Sequence, residues 1–294
     1  EGFTVSWSPD SRWVAYAKDI SGRGQAIALY DTKNDTLHQV TSGYYNDQSP
    51  CFDPKGKYLY FSSNRAFNPV YSDFDNSWTY PNATQLAVLT LQQDSLSPLA
   101  ARNDTVAIKT EKKPDEKETK KSKKEKAQKE EAKEESDAIL AVKIDFEDIE
   151  RRVVLLPIKA GNFGALFALE NKLIFMQRPH AGSDSQLGDL KIWDNTTREE
   201  KTIIIGINGY QVAAHGEKVI VHTEAGFFVL KPEPDQKAEK AINVGELYMQ
   251  LYPADEWQQI FLDVWRFQRD YFYDKEMHGV DWRKMKSVYW DLVL

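Results

Sequence analysis

The stretch RDYFYDKEMHGVDWRKM, residues 269–285, places Asp274, Glu276, His278 and Asp281 within eight positions. Two kinds of chemistry use such a set. An imidazole beside a carboxylate can act as a general base. Carboxylate and imidazole donors together can hold a divalent cation. General-base catalysis also needs a nucleophile next to the imidazole, and these seventeen residues contain no serine, threonine or cysteine. Acids spaced along a helix end more often cap it. The pattern therefore predicts a turn, Met277-His278-Gly279, between two helices. Gly279 would take the left-handed backbone, and His278 or Asp281 would satisfy open backbone groups.

Other residues invite chemistry singly. Arg178 and His180, in QRPHAGSD, sit in a loop that could meet a ligand carboxylate, which a guanidinium binds in a bidentate manner; the competing reading is an ordinary turn at Arg178-Pro179. His215 and His222 flank a hairpin in AAHGEKVIVHT. Arg151 and Arg152 resemble an anion clamp, but neighbours on a regular strand point to opposite faces and cannot share one ligand. Cys51 is the only cysteine, so no internal disulfide forms. It reads as a small buried hydrophobe.

The elements that must carry these residues repeat. FTVSWSPDSRWVAYAKD (3–19) aligns with QSPCFDPKGKYLYFSSN (48–64) at a shift of 45 residues. That period suits one four-stranded blade of a propeller. In each copy an aromatic ends a strand, a Pro-containing turn follows, and an aromatic-aliphatic strand returns. AIALYDTKNDTLHQVT (26–41) and QLAVLTLQQDSLSPLA (85–100) read as the outer strand pairs. Weaker copies continue through 162–178, 190–205 and 210–230. Two insertions interrupt the pattern. Residues 65–84 are rich in aromatics, Asn and Asp, which predicts an ordered loop on a blade face. Residues 109–135 hold 11 Lys and 9 acidic side chains with no aromatic, a composition that predicts disorder and a solvated loop. The strand pattern is expected to resume at 137–157, inside the same blade. After about residue 250 the apolar period becomes helical. Pro253 opens a helix through Trp257, Ile260, Phe261, Val264, Trp265 and Phe272, and Asp281 caps a second one.

Composition narrows the classes. The 294 residues are 41% hydrophobic, enough for a sizeable core, and the net charge of −7 gives no general case for nucleic-acid binding. No apolar run reaches membrane-spanning length. The chain opens within a strand motif and closes in a helical run, which predicts a fragment of a larger protein.

The order of parts is more specific than any one of them. SPD-type repeats lead to DFEDIERRVVLLP and then to a helix with Trp265, Asp270, Phe272, Tyr273 and Asp274. Met277, His278, Gly279, Val280, Asp281 and Trp282 follow. This order resembles the tricorn protease family of serine peptidases, over nearly the whole chain. The resemblance implies a mainly β fold: a partial β-propeller with WD40-like (PD40) blades at 1–248, then the first α-helices of a mixed α/β peptidase core at 249–294. It implies a serine-type hydrolase that degrades oligopeptides in the cytoplasm as a homo-oligomer, with the propeller filtering or channelling peptides. A periplasmic setting stays open, because a sequence that opens inside a strand motif is expected to lack its native N-terminus. The family's serine works with a Ser-His pair and a glutamate, and neither a Ser-His dipeptide nor a Gly-x-Ser-x-Gly elbow occurs here. The resemblance thus implies no catalytic residue in this chain, no metal or other cofactor, and no nucleic-acid or membrane partner. A non-enzymatic propeller scaffold for protein–protein interaction is the alternative.

Overall fold

The repeated hairpin turns on one polar residue placed just after its first strand. β1 (Val5–Trp7) and β2 (Trp13–Ile20) pair with Trp7 opposite Val14. Ser8 follows β1, and its hydroxyl accepts from Trp13 N at 2.8 Å. The matching hairpin ends its first strand at Phe52, which pairs with Leu59. Here Asp53 takes the place of Ser8, its carboxylate accepting from Tyr58 N at 2.6 Å. Both turns use a short polar side chain to bond the returning backbone. Gly56 completes the second turn at φ +63°, and a Cβ there would lie 2.5 Å from Val142 Cγ2.

The computed structural model describes residues 4–22, 24–102, 141–180, 182–214 and 216–293. These group into two units, Glu1–Ile242 and Asn243–Leu294. The first unit is a β-propeller segment. Its first antiparallel sheet joins β1, β2, β3 (Gly24–Asp31) and β4 (Thr36–Gln39) in sequence order. The second joins β5 (Asp47–Phe52) and β6 (Tyr58–Ser63), bypasses a small hairpin of β7 (Val70–Ser72) and β8 (Ser77–Thr79), and continues with β9 (Gln85–Thr90) and β10 (Val153–Leu155). The third comprises β11 (Asn162–Leu169), β12 (Lys172–Arg178), β13 (Gly188–Asp194) and β14 (Glu199–Ile207). The fourth has β15 (Gly209–Val212), β16 (Val219–Thr223) and β17 (Gly226–Leu230), with one further bridge from Phe228 to Ala241.

Strand alternation explains how the sheets stack. Leu59, Phe61, Ala87 and Leu89 of the second sheet join Trp13, Ile27 and Leu29 of the first in one core. The intervening residues Tyr60, Leu86 and Val88 face the other way and meet Phe175 and Trp193 of the third sheet. Ile174 and Met176 then join Val219 and Val221 of the fourth. Successive side chains on one strand thus fill two different cores, so these strands are apolar on both faces.

The second sheet departs from the sequence expectation. Residues 85–100 were expected to supply both its outer strands, but only Gln85–Thr90 is a strand. The fourth position is filled by β10, after the long insertion. Pro98 lacks an N–H for a ladder, whereas Val153–Leu155 brings three apolar residues into register with Ala87–Leu89. The charged run 109–135 and the start of the expected strand region lie outside the described residues. Within the rest of 137–157, only β10 is strand; Ile149–Arg152 is a 3-10 turn that buries Ile149. Arg151 and Arg152 are therefore not strand neighbours. Arg152 reaches back to the carbonyls of Thr90 (3.0 Å), Leu91 (3.4 Å), Glu147 (2.9 Å) and Asp145.

The second unit carries α1 (Pro253–Tyr271) and α2 (Trp282–Trp290). Pro253 stands in the first turn of α1, where its missing N–H costs nothing. Phe272 lies one residue past α1 with an extended backbone, so it ends the helix instead of extending its apolar face. The two helices share a reciprocal bond: Trp265 Nε1 donates to Trp282 O at 2.9 Å, and Trp282 Nε1 to Trp265 O at 3.0 Å.

Candidate peptide-binding surfaces

The first strands of three consecutive sheets line an open-sided cavity of about 540 Å³. Val5, Trp7, Pro50, Phe52, Leu166 and Phe167 give it an apolar wall. Two of these strands are bulged at comparable places. β5 shifts register between Gln48 and Cys51 and β11 between Gly164 and Phe167, with Ser49 at φ 52° and Ala165 at φ 50°. Positive φ is uncommon for serine and alanine and marks strained backbone. Neighbouring blades hold that backbone. Phe52 N donates to Ser6 Oγ at 3.0 Å, and Ala168 N donates to Cys51 Sγ at 3.2 Å. Tyr210 of β15 donates its hydroxyl to Ala165 O. Ser6 and Cys51 occupy the same place in the 45-residue repeat, so one contact is made twice with different atoms. None of this wall is poised as a nucleophile. Burial pushes the Cys51 thiol up to about 11, which leaves it protonated at neutral pH. Asp53 also lies against the cavity, but its carboxylate is occupied by the N–H groups of Lys55, Lys57 and Tyr58.

Arg178 and His180 fall at the β12–β13 connection. Arg178 is exposed, pairs in register with Asn162, and makes no ion pair among the described residues. Its neighbour Pro179 accepts from Asn162 Nδ2 at 3.0 Å. His180 is exposed and turns inward on its own loop, with Nδ1 3.1 Å from Ser183 Oγ. The two side chains share a loop but do not form a closed pocket with other charged groups. His222 lies on β16, stacked on Phe227 at 4.5 Å; His215 lies outside the described residues.

In the second unit the Asp274–Asp281 stretch is occupied by its own turn. Met277–Gly279 is a 3-10 turn in which Met277, His278 and Gly279 all have positive φ. Asp274 accepts from Glu276 N and His278 N, each at 3.0 Å, and stands 3.1 Å from His278 Nδ1. His278 Nε2 contacts the Tyr273 hydroxyl. Asp281 accepts from Lys284 N at 2.9 Å and caps α2. Among the described residues no group of three or more His, Cys, Asp or Glu side chains is arranged to hold a metal ion. Sequence reasoning missed the cavity wall, although Ser49-Pro50 within an otherwise regular strand was a readable sign of a bulge.

Three four-stranded sheets and a three-stranded one, stacked in sequence and followed by a pair of helices, define a β-propeller segment joined to a helical unit. The profile described as tricorn protease second beta propeller domain matches residues 2–233, and that described as tricorn protease C1 domain matches residues 253–294. The chain belongs to the tricorn protease family. Tricorn protease homolog 1 of Streptomyces coelicolor is 24% identical over 94% of this chain and 26% of its own length. The tricorn protease of Thermoplasma volcanium is 26% identical over 94% of this chain and 25% of its own length. The crystal structure of the tricorn protease superposes with a TM-score of 0.72 at 20% identity, covering 99% of this chain and 26% of that one. The chain thus spans about a quarter of the length of the curated relatives it matches.

Proposed function

We propose that this chain is the propeller-to-core portion of a serine-type peptidase that degrades oligopeptides. Its blades filter or channel unfolded peptides towards catalytic residues carried outside residues 1–294. The observation that carries this is the apolar cavity of about 540 Å³ between the first strands of three blades. It has room for side chains of an extended peptide and contains no activated nucleophile. Peptides are the partner class, the assembly is a homo-oligomer, and the setting is the cytoplasm. Among the described residues no helix is long and apolar enough to cross a membrane.

The purified 294-residue chain is expected to bind fluorescently labelled oligopeptides without cleaving them, and to resist a fluorophosphonate serine label. Trp7→Glu, which puts a charge on the cavity wall, is expected to weaken peptide binding. Hydrolysis with serine labelling, or peptide binding indifferent to Trp7→Glu, would refute the proposal.

A further inference from the structure

The 65–84 excursion is a second surface with its own chemistry. It leaves the second sheet after β6 and returns to start β9, with β7 and β8 as a two-stranded hairpin of three residue pairs. Ala66 N to Ala83 O at 3.0 Å closes its base, and Thr84 ties that base to the blade through its Oγ1 to Asn64 Oδ1 at 2.7 Å and a bridge to Gly161. Beyond that base its large side chains face outward. Phe74 at the tip is 99% exposed and Phe67 80% exposed, and Val70, Tyr71, Trp78 and Tyr80 are also exposed. Tyr71 packs on Trp78 at 5.3 Å and Phe67 on Tyr80 at 5.4 Å. A two-stranded hairpin is marginal in water by itself, and six clustered apolar side chains are more than a solvated loop requires.

Charge and position say what covers it. Residues 66–84 contain Asp73 and Asp75 and no lysine or arginine. Neither aspartate makes an ion pair among the described residues; Asp75 accepts from Ser77 Oγ at 2.8 Å, and the hydroxyls of Ser72 and Ser77 together hold its carboxyl below its ordinary range. Arg65, at the base, is turned inward: Nε donates to Ser63 Oγ at 2.7 Å and the guanidinium lies 4.5 Å over Tyr45. The hairpin's blade end is where β5 starts, β6 ends, β9 starts and β10 ends, and where the bridge to Gly161 leads into the third sheet. By strand alternation Arg178 and the β12–β13 loop belong to that same end. Building on the peptidase reading above, we propose that the β7–β8 hairpin captures extended peptide segments that combine apolar residues with lysine or arginine. Aromatic faces take the apolar side chains with little regard for sequence, cations sit over the rings, and the tip carboxylates favour basic residues.

The test uses the whole 294-residue chain and two labelled oligopeptides of equal length and apolar content, one carrying lysines and one glutamates. Phe74→Ser and Trp78→Ser change exposed positions and are expected to keep the fold, checked by circular dichroism. Each is expected to weaken the lysine peptide about tenfold, the loss typical of an interfacial aromatic. The wild type is expected to prefer the lysine peptide, with the preference shrinking as salt rises. Wild-type affinity in both variants, or no preference between the peptides, overturns the proposal. So does a concentration-dependent dimer in sedimentation that Phe74→Ser abolishes, since a second copy would then be the occupant. The two surfaces fail separately. Loss with Trp7→Glu alone sinks hairpin capture and leaves the cavity proposal standing; loss with the hairpin variants alone does the reverse.

Discussion

Cys51 shows what one side chain contributes to a blade interface. Its sulfur accepts from Ala168 N at 3.2 Å, at the repeat position where Ser6 offers an oxygen to Phe52 N. Cys51→Ala removes the acceptor and is expected to cost about 1 kcal/mol, whereas Cys51→Ser supplies a stronger acceptor and is expected to stay near wild type. Urea unfolding distinguishes them. The thiol also has a defined pH dependence. Its folded value of about 11 lies above the ordinary 9.0, so above pH 9 the unfolded chain gives up this proton before the folded one does. The contribution of this group is complete below pH 9 and is lost between pH 9 and about 11. Correspondingly, iodoacetamide should leave native Cys51 unmodified at pH 7.5 and modify it in urea. Cys51 was expected to be a buried strand residue; it lies on the strand but is only half-buried, because it also lines the cavity. The hydrogen bond was not legible in the sequence, because its donor lies 117 residues away.

At the scale of elements, the hairpins were readable because each turn is solved by residues within six positions, as Ser8 and Asp53 show. The outer edge of the second sheet was not. β10 joins β9 only after a connection of more than sixty residues, and no local signal gives that pairing. Arg152 fixes it. Its guanidinium gathers four backbone carbonyls from both ends of the connection, at Thr90, Leu91, Asp145 and Glu147. The segment it anchors also reaches the first sheet: Val142 N donates to Asp10 at 2.7 Å, and Phe146 stacks on His38 at 3.9 Å. Arg152→Ala leaves those carbonyls without their shared charged donor and is expected to cost about 2 kcal/mol. Hydrogen exchange is expected to rise first in 141–156 and not in β12 or β13. Uniform protection across the three sheets in the variant would show that Arg152 does not anchor the connection. Arg152→Lys should rescue only in part, because an ammonium cannot reproduce the spread of the guanidinium fork.

For the molecule as a whole, the two units rest on different physics and should unfold separately. Among the described residues the propeller segment holds three cores, each shared by consecutive sheets, so loosening the second or third sheet exposes apolar surface on two sides. Such coupling favours a single cooperative transition. The unit from Asn243 to Leu294 has about fifty residues, and neither α1 nor α2 buries a side chain fully. Its order depends on the reciprocal Trp265–Trp282 bonds and on the capping carboxylates of Asp274 and Asp281. A helix as short as α2 is marginal without packing, and units this small bury little surface. Ellipticity at 222 nm is therefore expected to fall in two steps with urea, the first shallow because little surface is exposed in it. Trp282→Phe removes one of the two indole donors and should move the first step to lower urea while leaving the second in place. A single sharp transition, shifted as a whole by Trp282→Phe, would instead mean that the helical unit folds only as part of the propeller.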